Sequence, residues 1–146
     1  MKAVDTNILV YAEITSSPFH EVARSVLRGL AEGAEAWALP WPCAYEFLRV
    51  VTHPRVYHPP VPAPVALADL LAILASPSLT MLGESDRHVA VLESIVSRSG
   101  VTGNLVFDAH IVALCVEHGV STLVTGDMDF LRFDAITVEN PFKLPS

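Results

Sequence analysis

The chain has 146 residues, is 51% hydrophobic and carries a formal net charge of −7, a size at which one domain can bury a real core. That apolar content excludes a disordered chain, and the negative charge argues against a general nucleic-acid coat or an anionic membrane surface as partner. No uncharged apolar run reaches the ~18 residues of a membrane span; the longest candidate, Leu70 to Gly83, is cut by Pro77. The opening "MKAVDTN" lacks the apolar stretch of a signal peptide. Cys43 and Cys115 have no C-x-x-C or paired Cys/His spacing, so each is expected to be a small buried hydrophobe in a reducing cytoplasm.

Short β-like runs alternate with helical ones along the chain. "KAV" is a strand of at most four residues, followed at once by the helical run "TNILVYAE". In "SPFHEVARSVLRGLAEG", Phe19, Val22, Ala23, Val26, Leu27 and Leu30 recur at helical spacing, with Ser17 as expected N-cap, Pro18 at the first helical position and Gly33 as the stop. "AWALP" reads as the second strand, and Pro42 opens the helix "PCAYEFLRVVT". A rigid Pro-rich loop, "HPRVYHPPVPAP", leads to the helix "PVALADLLAILA" and the third strand, "LTML". "DRHVAVLESIVSRSG" is a helix ending at Gly100, and Asn104 is the expected cap of the helix through "LVFDAHIVALCVEHG". "STLVT" is the fourth strand, "GDMDFLRF" a loop or short helix, and "AITVE" the fifth strand. This order predicts an α/β fold, a mostly parallel sheet of four to five strands covered on both faces.

Two carboxylates follow strands: Asp5 after the first, Asp127 after the fourth. Open parallel sheets gather ligands at the carboxyl ends of their strands. If those two strands are neighbours, ~4.8 Å apart, the acids share one site. Glu46 and Asp108 stand in otherwise apolar helices. Each acid has an ordinary alternative. Asp5 can cap the helix after it, Asp108 can complement a helix dipole, Glu46 can pair with Arg49, and Asp127 and Asp129 can be turn residues. Together they are harder to dismiss, because two carboxylates at ~4 Å repel by about 4 kcal/mol at an effective dielectric of ~20. Hard oxygen ligands without a His or Cys cluster point to Mg²⁺ or Mn²⁺, and such sites serve phosphate chemistry.

"VDTNILVYA", a middle helix carrying Glu46, "DAHIVALCVEHG" and "LVTGDMDFLRF" resemble the PIN-domain ribonucleases, most closely the VapC toxins of bacterial type II toxin–antitoxin pairs. The likeness runs from Lys2 to about Phe142. It implies a three-layer α/β/α sandwich in one nuclease domain over residues 1–142, with 143–146 as a short tail. It also implies an acidic pocket for Mg²⁺ or Mn²⁺ and endonucleolytic cleavage of RNA by a metal-activated water. By motif, Asp5, Glu46, Asp108 and Asp127 match the catalytic, metal-holding quartet, and Asp129 the accessory acid that competes with Asp127 for the fourth place. Asn7 and Thr125 match the amide and hydroxyl that orient these ligands. The resemblance further implies a small VapB-like antitoxin partner and a homodimer.

An acidic protein that cuts RNA needs local positive charge. Arg49 and Arg55 are the candidates, the latter beside Tyr57 and His58 in "PRVYHPP", where aromatic stacking suits single-stranded RNA. The six histidines show no ligand spacing; His110, two residues after Asp108, is a candidate substrate contact or a packing residue. Trp37 and Trp41 are expected in core or dimer packing. A receiver-type signalling module would need an acidic pair where this chain has Lys2 and Ala3. A dehalogenase-type phosphatase would need D-x-D where Asn7 stands. The alternatives left open are a PIN nuclease of RNA processing outside a toxin–antitoxin pair and a non-catalytic PIN-like binding module.

Overall fold

The computed structural model describes residues 1–142, so the expected tail at 143–146 lies outside the described residues. The chain runs β1 (Lys2–Val4), α1 (Thr6–Glu13), α2 (His20–Glu32), β2 (Trp37–Pro40), α3 (Trp41–Val51), α4 (Ala63–Leu74) and β3 (Leu79–Leu82). It continues through α5 (His88–Ser99), α6 (Leu105–Glu117), β4 (Thr122–Val124), a 3-10 helix (Met128–Arg132) and β5 (Thr137–Glu139). The five strands form one parallel sheet in the order β3-β2-β1-β4-β5.

That order explains the layering. From β1 to β2 to β3 the chain steps one way along the sheet, then returns to β4 and β5 on the other side of β1. Right-handed crossovers put helices of opposite steps on opposite faces. Accordingly α1 packs on α2 and α3, and α3 on α4, whereas α5 pairs with α6. The central strands are apolar and buried, β2 along its whole length, while β3 and β5 at the edges are partly exposed. Helix α6 is buried nearly all round, from Ala109 through Cys115, which matches its almost unbroken apolar sequence. Trp37 is core, its Nε1 donating to Ser78 Oγ at 3.2 Å, whereas Trp41 is exposed beside Tyr45. Both thiols are buried and unbridged. Among the described residues no helix is long and apolar enough to cross a membrane.

Two expected caps differ. Ser17 does not cap α2: its Oγ accepts the Phe19 N–H at 3.1 Å, closing a local turn, and the helix starts at His20. Asn104 makes no side-chain cap on α6, because backbone bonds from Leu105 to Thr102 and from Val106 to Gly103 satisfy the first turn instead. Gly100 ends α5 as expected, at φ +65°, a left-handed conformation that favours glycine.

Candidate active site at the carboxyl edge of the sheet

Strands β1 and β4 are neighbours, with Val4 opposite Val124, and the strand order reverses at this pair. The crevice at such a reversal is where open α/β sheets take ligands. Here the Asp5 N–H bonds Val124 O at 3.0 Å, and the residues just past both strands face each other.

Asp5 is buried and held by four donors. Its Oδ1 accepts the Thr6 N–H at 2.7 Å and the Cys43 thiol at 3.6 Å; its Oδ2 accepts Thr125 Oγ1 at 2.7 Å and Asn7 Nδ2 at 3.0 Å. The N-capping reading and the site reading of Asp5 therefore both hold. Thr125, fully buried, also receives Asn7 Nδ2 at 2.9 Å and the Asp127 N–H at 3.0 Å, so one hydroxyl joins both strand ends. Asn7 Oδ1 accepts the Gly126 N–H at 3.0 Å. Gly126 has no room for a side chain: a Cβ there would stand 2.8 Å from Cδ2 of Phe142. Burial raises the Asp5 carboxyl above its usual range, opposed by the Thr125 and Thr6 bonds and reinforced by the Glu46 charge.

Carboxylate oxygens of Asp108, Asp127 and Asp129 all lie within 4.8 Å of one another. At ~5 Å and an effective dielectric of ~20, a pair of charges repels by about 3 kcal/mol. Partial burial, then the charges of Asp127, Asp5, Asp129 and Glu46, push Asp108 up to about 7. Asp127 bridges the set, since it also lines an open cleft of ≈ 400 Å³ with Asp5, Asn7, Glu46 and Tyr57. Its Oδ1 accepts the Asp129 N–H at 2.9 Å, capping the 3-10 helix that carries Asp129. Glu46 stands on α3 with its Oε2 receiving Thr6 Oγ1 at 3.3 Å and its Oε1 3.9 Å from the exposed Arg49 guanidinium. Five acids from four parts of the chain thus converge. An oxygen-only set that represses its own ionisation suits a hard divalent cation, which would relieve the repulsion.

Glu46 also borders a second cleft of ≈ 590 Å³, lined by Tyr45, Arg49, Phe107 and His110. Of the proposed RNA contacts, Arg49 is at a cleft wall. Arg55 lines neither cleft; its N–H bonds His53 Nδ1 at 3.0 Å, and Tyr57 is the residue of that loop that reaches the site. Three features escaped the sequence. Cys43 is a donor to Asp5 as well as a buried hydrophobe, and Thr6 holds Glu46. The histidines do cluster: His88 and His110 meet Glu84 although their spacing gave no sign of it.

A family model for the PIN domain matches residues 2–136. Among curated relatives, Ribonuclease VapC48 of Mycobacterium tuberculosis (strain ATCC 25618 / H37Rv) is 35% identical over 95% of this chain and 96% of its own length. Ribonuclease VapC37 of the same strain is 35% identical, covering 97% of both chains. Among solved structures, VapBC2 from Rickettsia felis bound to a DNA fragment from its promoter superposes with a TM-score of 0.69 at 20% identity, over 95% of this chain and 97% of that one.

Proposed function

Because the chain belongs to the PIN-domain family, among its VapC ribonucleases, we propose that it is a divalent-metal-dependent endoribonuclease and the toxin of a type II toxin–antitoxin pair. The observation that carries this reading is the convergence of Asp5, Glu46, Asp108, Asp127 and Asp129 at the β1–β4 switch point. The nuclease domain is taken as residues 1–142.

Asp5, Glu46, Asp108 and Asp127 would hold Mg²⁺ or Mn²⁺, with Asp129 beside them as the accessory acid. A cation so held acidifies water and stabilises the oxyanions of an in-line phosphate displacement. Asp5 is the fixed member: its two oxygens accept from Thr6, Cys43, Thr125 and Asn7, the Cys43 thiol being the weakest donor. Thr125 and Asn7 set its orientation and tie the Asp127 loop to it. Asp127 takes the fourth ligand place, because it faces both the Asp108–Asp129 oxygens and the Asp5–Glu46 cleft. Burial and the neighbouring acids push the Asp108 carboxyl up to about 7, and a bound cation would favour its ionised form. Arg49 binds a flanking phosphate, and Tyr45 and Phe107, both exposed, offer faces on which unpaired bases stack.

The test is cleavage of a structured RNA by the purified chain with Mg²⁺ or Mn²⁺, abolished by EDTA and leaving 5′-phosphate and 3′-hydroxyl ends. Cyclic 2′,3′-phosphate ends would mean that the RNA's own 2′-hydroxyl attacks, and the mechanism would be wrong. The proposal places the protein in the cytoplasm as a homodimer, controlled by a small VapB-like antitoxin.

A further inference from the structure

Outside the acidic pocket, the turn after β3 and the facing parts of α5 and α6 bring Glu84, His88 and His110 together, each offering a ligand atom within 4.8 Å of the others. We propose that these three residues form a second metal site, for a transition-metal ion of the Zn²⁺ class. The donor set selects that class, since two imidazoles and one carboxylate suit Zn²⁺, Co²⁺ or Ni²⁺, whereas Mg²⁺ and Ca²⁺ want oxygen alone. Nothing in this inference rests on the nuclease reading.

The surroundings of His88 point the same way. Its Nδ1 lies 2.7 Å from Oε2 of Glu117, whose side chain has no exposure to solvent. The other Glu117 oxygen accepts the Ser85 N–H at 2.6 Å. A carboxylate held as an anion by these bonds accepts the Nδ1–H hydrogen bond of His88, which leaves the Nε2 lone pair for a metal. A buried carboxylate of this kind is what fixes the tautomer and aim of a metal-ligating histidine. The His110 ring stands edge-on to His88 with centroids 5.4 Å apart, and its Nε2 lies 2.8 Å from Oε1 of Glu84. An ion would take the place of the proton in that contact. Glu84 is half exposed and opens a route from solvent. Three protein ligands leave a fourth position for water.

Such an ion ties the β3–α5 turn to α6, the helix that also carries Asp108 two residues before His110. Its effect is structural: it fixes the register of α6 on α5 and thereby the start of the helix that faces the acidic cleft.

The experiment uses the full chain, stripped with chelator and returned to excess Mg²⁺ so that the acidic cleft is saturated. Titration with Zn²⁺ should then show one further ion per chain, a rise in melting temperature, and shifted imidazole ¹⁵N signals for two histidines. Co²⁺ in its place should give the intense visible absorption of a four-coordinate ion. His110→Gln, at a partly exposed position, should abolish the binding while the fold survives. Glu117→Gln should weaken it roughly 10–100-fold, and Asp127→Asn should leave it intact. The proposal fails if the native chain takes up no Zn²⁺ over Mg²⁺. It fails equally if uptake survives His110→Gln, which would leave two ordinary His–Glu contacts, or disappears in Asp127→Asn, which would move the ion to the acidic cleft.

Discussion

Thr125 shows how much a single hydroxyl can carry. It donates to the buried Asp5 and accepts from Asn7 and from the Asp127 backbone, so its loss takes the partner from the Asp127 N–H and one bond each from Asp5 and Asn7, which keep the bond between them. Thr125→Val keeps the shape and should cost about 1–3 kcal/mol in denaturant unfolding, while Thr125→Ser should recover most of it. A Thr125→Val chain as stable as the native one, with Thr125→Ser the weaker of the two, would show that packing alone matters there. Asp108 supplies a second residue-level expectation. In the unfolded chain it ionises near 3.8, but in the fold it keeps its proton up to about 7. Between those values the native state binds more protons than the unfolded state, so stability falls as pH rises through the window. Asp108→Asn cannot suffer that loss. In EDTA its melting temperature should match the native protein at the acid end of the window, exceed it increasingly as pH rises through the window, and keep a constant lead above about 7. Mg²⁺ should erase the difference by stabilising the native chain, and a gap independent of pH would detach Asp108 from the cluster. At this scale the acids were legible because charge in an apolar setting is conspicuous. Cys43 was not, because its thiol reads as a hydrophobe until Asp5 is seen beside it.

Among the elements, apolar periodicity located all five strands and six helices, since short buried runs and amphipathic or all-apolar helices have different periods. Their ends were less legible. Ser17 and Asn104 have the right chemistry for caps, yet a local turn used one and backbone bonds replaced the other. The Glu84, His88, His110 and Glu117 group was invisible, because only the α5–α6 packing brings those positions together. Helix α3 carries an exposed member of the acidic set, held by a single side-chain hydrogen bond, and this makes Glu46 a clean probe. Its Thr6 bond can be kept by an amide, so Glu46→Gln should melt like the native protein yet lose RNA cleavage by roughly 10²-fold or more. Asp127→Asn added to it should lower the rate little further, because acids serving one cation act as a unit. Multiplicative losses in the double variant, measured as kcat/KM on one RNA, would assign the two residues to separate functions.

For the molecule as a whole, charge decides what kind of partner can close the site. The net charge is −7, and the cleft concentrates five acids at one edge of the sheet. A proposed antitoxin that blocks this cleft must therefore bring positive charge. A guanidinium suits best, since its planar fork meets two carboxylates at once and occupies the place a divalent cation would take. The exposed Tyr45 and Phe107 of the second cleft, which Glu46 also borders, give such a segment an apolar surface on which to fold. Opposite charges also steer the encounter, so the association rate should fall steeply with ionic strength while dissociation changes little. Expression of this chain alone should arrest growth, and co-expression with the small gene beside it should restore growth and yield a stable complex. In that complex, replacing one Arg of the partner should restore RNA cleavage without releasing the chain, and Asp127→Asn should weaken binding from the other side. A neighbouring product that rescues growth with an acidic segment, or that binds faster as salt is raised, would place its contact away from the cleft. A chain harmless by itself and without such a partner would remove the toxin role while leaving RNA cleavage to be judged on its own assay.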